Sequence, residues 1–361
     1  MKRVLASLAL ALTAASNAQA YTPASGFWWN PNESGTGIAI EIEDKLLFMA
    51  AYVYDTQGRP TWYLSAGNLT TSSSGGSTYY NVYNGNLDAY ANGQWVGGPY
   101  YFPQYFPNAG GPVQIVFNPS DETRATLTWG GRTTQIERLD YYAGFPAADK
   151  EIQRMIGEWS VVIDAYTRGG DYSVFPYYGD VLVFDLINRD PTPDFFEGCR
   201  ADTSLIGRCT SNALYYHDAA GYYDASRDEH VVVVTDAIQT SSSPAQYWAY
   251  YLELNTSDFE GVVEWYFGND PNSPGNGPYY PVRGFRSGSR SFVLNNGAGP
   301  AAAADAPKQA HTPRSLAKMI MDQNGGVMPE GLSAEQVQER YGIDVHAHRA
   351  KVQALQASLD K

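Results

Sequence analysis

Long hydrophobic runs are missing from this sequence. Val4 to Ala15 is its most apolar stretch, and it falls short of the about 20 residues that span a bilayer. No membrane-spanning segment is therefore expected. Histidine is scarce, with five copies, and cysteine scarcer, with two. Cys199 and Cys209 have no second thiol or histidine pair beside them, so they cannot complete a tetrahedral metal site. His346 and His348 lie two apart and would not share a helix face. No metal and no cofactor is expected. The patterns Gly-x-Ser-x-Gly, His-Glu-x-x-His and Walker A do not occur, which removes the common signatures of acyl transfer, zinc proteolysis and nucleotide binding. Bases are outnumbered, 24 against 38 acids, for a formal charge of -14. Such a surplus repels phosphate backbones, and no nucleic-acid partner is expected.

What is present begins with an export signal. Lys2 and Arg3 precede the short apolar stretch, and Ala18-Gln19-Ala20 is an A-x-A cleavage site. Residues 1–20 thus read as a signal peptide, cleaved near Ala20, with a periplasmic or secreted product. In that oxidising compartment Cys199 and Cys209 should form a disulfide, stapling a short loop.

Tyrosine is abundant, with 28 copies beside 35 glycines, a composition suited to short strands and tight turns. Ile38, Ile40 and Ile42 alternate with Ala39, Glu41 and Glu43, as a half-buried strand does. Leu46 to Tyr54, Thr61 to Ala66, Ser77 to Tyr83, Val113 to Phe117, Ala125 to Trp129 and Thr133 to Leu139 continue the pattern. Gly130-Gly131 is a two-residue hairpin signal. A second set runs from Trp159 to Phe267, including Val181 to Ile187, Asn212 to His217, His230 to Ala237, Tyr247 to Leu254 and Gly261 to Phe267. The fold class is all-β. Two antiparallel up-and-down meander or barrel modules are expected over 21–145 and 150–296. A linker over 297–311 and a short α-helical extension over 312–361 follow, and this tail reads as separable. Thr312-Pro313 starts a helix, Ser333 to Gln336 is a capping box, and Val345, Val352, Leu355 and Leu359 form an apolar stripe.

Each module opens with Gly-x-Trp, at Gly26/Trp28 and Gly157/Trp159. Each closes with an arginine-bearing strand, at Arg138 and at Arg283 or Arg286. This pairing resembles the calycin signature of lipocalin-like barrels. The resemblance implies a Trp at the closed end packed under an Arg. The first module also reads Gly26-Phe-Trp-Trp-Asn-Pro-Asn-Glu-Ser-Gly-Thr-Gly37, then Leu47 to Tyr63 with Tyr52, Tyr54, Asp55, Gly58, Pro60 and Trp62-Tyr63 in place. It is similar there to a widespread group of exported proteobacterial β modules. That resemblance covers about residues 25–140 and carries no activity over.

Two kinds of site residue follow. Trp29, Tyr63, Tyr52 and Tyr54 are candidates for an aromatic ligand face, with Trp28 and Trp62 assigned to the core. Such a face would take a glycan or a small apolar molecule. Glu33 and Asp55 are the carboxylates of an alternative reading, a secreted hydrolase acting on a polymer. Against that, Glu33 sits in turn chemistry, Asn30-Pro31-Asn32-Glu33-Ser34-Gly35. A structural envelope role is the third alternative. Asn269 to Gly277 is oxygen-rich and reads as a turn, with Ca²⁺ the lesser option.

Overall fold

A computed structural model of the chain describes residues 23–74, 77–118, 121–165, 177–188, 195–200, 209, 218–270, 272–296 and 315–360. The expected signal peptide, the linker, the strand over 212–217 and the Thr312-Pro313 helix start lie outside these residues. The chain divides into two units, residues 1–140 and 141–361, and each holds one antiparallel barrel.

The first unit comprises β1 (Gly26–Trp29), β2 (Gly37–Glu43), β3 (Leu46–Tyr54), β4 (Pro60–Asn68), β5 (Thr70–Ser74), β6 (Ser77–Ala91), β7 (Gln104–Asn118), β8 (Asp121–Trp129) and β9 (Arg132–Arg138). The sheet order is β4-β3-β2-β1-β9-β8-β7-β6-β5. Pairing of Tyr63 with Ala89 and Leu64 with Asp88 joins β4 to β6 and closes the ring. Hence β5 is a side hairpin on β6. Period-two alternation sends Ile38, Ile40, Leu47, Met49 and Ile115 into the barrel, around Trp28 and Phe117 in edge-to-face contact at 5.4 Å.

The second unit comprises α1 (Ala147–Met155), β10 (Gly157–Asp164), β11 (Tyr177–Asn188), β12 (Phe195–Arg200), β13 (Ala219–Asp224), β14 (Glu229–Ala237), β15 (Gln246–Leu254), β16 (Asp258–Phe267), β17 (Tyr279–Gly288) and α2 (Arg290–Asn296). It ends in α3 (Leu316–Gln323), α4 (Ala334–Tyr341), a 3₁₀ turn (Val345–His348) and α5 (Arg349–Leu359). Strands β10 to β17 form a closed barrel in chain order.

The two Gly-x-Trp…Arg pairs occupy equivalent places. Trp28 is paired with Arg138 across β1 and β9, and Trp159 with Arg286 across β10 and β17. Each indole N–H donates to the carbonyl four residues back, Trp28 to Ala24 (3.1 Å) and Trp159 to Met155 (2.8 Å). Each arginine donates to the carbonyl before the glycine, Arg138 to Ser25 and Arg286 to Ile156, both at 2.8 Å. The Arg286 guanidinium lies 4.2 Å from the centroid of the Trp159 ring, in cation–π range. Gly26 and Gly157 have φ of +137° and +149°. A Cβ at Gly157 would also lie 2.4 Å from Arg286 Nη1. Glycine is required there twice over, by backbone conformation and by space.

The helical tail is part of the second barrel, which corrects the expectation that it is separable. Leu316, Ala317 and Ile320 of α3 are buried in the same core as Trp159, Trp248 and Val263 inside the barrel. Asp236, fully buried, caps that helix. It accepts from Ser315 Oγ (2.6 Å), Leu316 N (2.7 Å) and Trp248 Nε1 (2.8 Å). A carboxylate at the helix N-terminus is favoured by the backbone dipole. Arg200 reaches the same carboxylate at 3.4 Å and Asp180 at 2.7 Å, so the buried charges are paired. On the outer wall Val337, Ile343, Val345, Val352 and Leu355 cover Tyr247, Tyr251, Tyr266 and Tyr279. The apolar stripe of the 3₁₀ turn and α5 is therefore a docking face. The loop after β16 is held by hydrogen bonds to the barrel and to the residue that opens α5. Gly275 N and Gly277 N donate to Glu264 Oε2, and Pro274 O accepts from Arg349.

Cys199 and Cys209 are disulfide-bonded, with Cα atoms 5.4 Å apart. Cys199 lies on β12 and both cysteines are buried in the barrel core. The bridge thus anchors a core strand, not a surface loop alone. No helix among the described residues is long and apolar enough to cross a membrane.

Candidate functional site

The sequence-derived candidates fall in three places on the first barrel. Asp55 lies in the β3–β4 turn. It accepts from the backbone N–H of Gln57 and Arg59, both at 2.9 Å, and from Arg59 Nε at 2.7 Å. The Arg59 backbone bond, with the guanidinium beside it, holds this carboxyl below its usual range. That is the opposite direction from a general acid working near neutral pH. Asp55 closes a hairpin.

Glu33 lies at the mouth of the barrel, in the β1–β2 loop. Arg132 grips it with both guanidinium nitrogens, Nη1 at 3.1 Å from Oε2 and Nη2 on Oε1. Asn30 Nδ2 donates to Thr134 Oγ1 at 2.9 Å beside it. Under this rim is a cavity of about 190 Å³, bordered by Trp28, Trp29, Ile38, Val53, Leu127 and Trp129 among others. Trp29 is half-buried, and its indole N–H has no hydrogen-bond partner among the described residues. The cavity is smaller than the roughly 300–1,000 Å³ that drug-sized ligands occupy. A polar groove of about 340 Å³ on the second unit lies among Thr240, Ser242, Ser243, Tyr247, Gln356 and Asp360. Its polar groups bond to one another, Tyr247 to Asp360 and Thr240 to Ser242 and Ser243.

The third place is the outer wall, where the aromatics gather. Register decides which ones. Tyr52 is paired with Trp62 and Tyr54 with Pro60, so Trp62 shares the outward face of Tyr52 and Tyr54. Trp62 is 42% exposed and Tyr52 50%. This reverses the expected parity of β4. Tyr63, expected outside, turns inward and meets Trp129 edge-on at 5.7 Å, while Trp62, assigned to the core, faces solvent. Trp28 is core, as expected.

The outward row continues across strands. Phe27 lies 6.4 Å from Tyr52, above Gly37, where a Cβ would come within 2.1 Å of its ring. Trp62 lies 5.6 Å from Tyr90 with ring planes only 6° apart, and Tyr90 lies 5.3 Å from Tyr105. Adjacent strands are about 4.8 Å apart, so Tyr52, Trp62, Tyr90 and Tyr105 stand side by side on β3, β4, β6 and β7, and Phe27 of β1 reaches the row across Gly37 of β2. Tyr90 and Tyr105 were missed in the sequence, though a signal was available. Between Arg59 and Asp121 the chain carries one charged residue, Asp88. Asp88 accepts from Tyr105 Oη (3.1 Å) and Asn108 N (2.8 Å).

No protein-family model and no curated protein matches the chain. Among solved structures it is weakly similar to the catalytic domain of Coprinopsis cinerea GH62 alpha-L-arabinofuranosidase. The identity is 9% over 74% of this chain and 98% of that one, at a TM-score of 0.10. A similarity at that level carries no inference about fold or activity.

Proposed function

We propose that the protein is an exported, non-enzymatic binding protein whose first barrel holds a neutral glycan on its outer aromatic row. The observation that carries this reading is the run Phe27–Tyr52–Trp62–Tyr90–Tyr105, in which Tyr52, Trp62 and Tyr105 are exposed and Phe27 and Tyr90 half-buried, beside a stretch between Arg59 and Asp121 that holds one charged residue. Flat exposed rings accept the apolar C–H face of a sugar, and a near-neutral wall suits an uncharged polymer. The overall charge of -14 disfavours acidic polymers. Export is supported by the signal-like N-terminus and by the disulfide, which is characteristic of oxidising compartments. The ion-paired states of Glu33 and Asp55 give the hydrolase alternative no support.

The test is isothermal titration of the mature protein with a panel of neutral oligosaccharides, beside Trp62→Ala and Tyr105→Ala. Each ring contact is worth about 0.5–1.5 kcal/mol, so each variant should lose roughly twofold to thirteenfold in affinity. Wild-type protein that binds none of the panel, or variants that bind it equally well, would overturn the reading.

A further inference from the structure

The loop joining β6 to β7 carries apolar side chains far out into solvent. Trp95 is 66% exposed, Phe102 78%, Tyr100 and Tyr101 are similar, and Val96 is fully exposed. The loop is nonetheless built. Gly98 N donates to Trp95 O at 2.9 Å, closing a turn with Val96 at its tip. The Trp95 ring lies over Gly98, and Asn92 Nδ2 bonds Gln104 Oε1 at 3.1 Å across the base. No Asp, Glu, Lys or Arg occurs between Asp88 and Asp121.

We propose that this tip, Trp95-Val96 with Tyr100-Tyr101-Phe102, is an anchor that enters the interface of a zwitterionic lipid bilayer. The proposal goes beyond the glycan reading and does not depend on it. A protruding tip cannot enclose a small ligand; what covers it must close around it, and a lipid interface does. Trp and Tyr are favoured at that depth, where the ring is buried among lipid and the N–H or O–H stays wet. A charge-free loop carries no ion into the interface, which would otherwise be costly. Backbone that is not helical cannot enter the hydrocarbon unsatisfied. Insertion therefore stops at the headgroup boundary, about 5–10 Å deep. The acidic chain, at -14, gains nothing from anionic headgroups, so zwitterionic lipid is the partner and salt should matter little.

The experiment is flotation of the mature full-length protein with phosphatidylcholine vesicles, read together with tryptophan emission. Wild type should float with the vesicles, its emission should shift to the blue, and high salt should not release it. The W95S/Y101S/F102S variant should lose more than about tenfold in partitioning. The V96D variant alters a fully exposed side chain, so folding is spared. It should lose about fivefold. Trp62→Ala should float like wild type, which separates this result from the glycan test. The proposal is overturned if wild type stays unfloated, or if V96D and the triple variant float as well as wild type. It is also overturned if binding needs anionic lipid and disappears in salt. It falls equally if sedimentation shows that the tip pairs two copies of the chain without vesicles.

Discussion

Removing residues 315–361 should unfold the second barrel and leave the first intact. The side chains lost include Leu316, Ile320, Val337, Ile343, Val345, Val352 and Leu355, all buried. Each such burial stabilises by roughly 1.5–3 kcal/mol, so together they contribute on the order of 10–20 kcal/mol. A domain's whole stability is about 5–15 kcal/mol. The deletion also strips Asp236 of its bonds from Ser315 and Leu316, leaving a buried carboxylate less satisfied. Calorimetry and near-ultraviolet circular dichroism would read the outcome. One cooperative transition, that of the barrel formed by β1–β4 and β6–β9, should remain, and the other should vanish. Ile320→Ala is the graded version, with an expected loss of about 2–5 kcal/mol. A truncated chain that keeps both transitions, with midpoints moved by only a few degrees, would refute the plugged-barrel account.

Three further outcomes are expected. His230 is fully buried, packed by Phe196 and Tyr223, and burial pushes its imidazole down from 6.5 to about 4. A depressed histidine contributes stability above its unfolded value, lost as pH falls through the window from 6.5 to about 4. The loss is about 3 kcal/mol. Asp218, pushed up by burial to about 6, acts in the opposite sense, gaining stability as pH falls. The His230→Leu variant isolates the histidine, because its denaturation curves share the Asp218 contribution with wild type. The gap between the two proteins should shrink on acidification, and a constant gap would refute the buried neutral imidazole. Gly157→Ala places a methyl 2.4 Å from Arg286 Nη1 at φ +149° and should cost more than about 2 kcal/mol by urea titration. Reducing the Cys199–Cys209 bridge, which spans ten residues, should lower the second barrel's stability by about 2–3 kcal/mol while leaving the other transition unmoved.

Where one face was wet, the strands were legible in the sequence. Ile38, Ile40 and Ile42 alternate because the other face of β2 carries Glu41 and Glu43, and Leu46–Tyr54 and the Gly130-Gly131 hairpin fall where the pattern put them. The paired Gly-x-Trp and Arg positions were legible too, since the plug needs those residue types. Strands β12 and β13 were not. Phe195–Arg200 and Ala219–Asp224 are buried on both faces, partly against the C-terminal helices, so neither face is consistently polar. The same cover explains the tail. An aspartate after a valine run gives no sign that it caps a helix some 80 residues later. In the site, Trp62-Tyr63 offers two aromatics in a row and hence no alternation. Only the turn at Asp55 to Arg59, which pairs Tyr52 with Trp62, decides which ring faces out. Tyr90 and Tyr105 join the row through cross-strand register between β6 and β7, information that no local window contains.

The glycan-platform reading is tested most directly by following the tryptophan indole N–H signals by NMR during titration with a neutral oligosaccharide. Of the eight tryptophans, Trp62 lies in the outer row, Trp28 and Trp159 are sealed in the two cores, and Trp29 borders the mouth cavity. The account predicts that the Trp62 resonance shifts with saturation while those of Trp28, Trp159 and Trp29 stay in place. A shift at Trp29 without one at Trp62, or no shift at any oligosaccharide concentration, would contradict it.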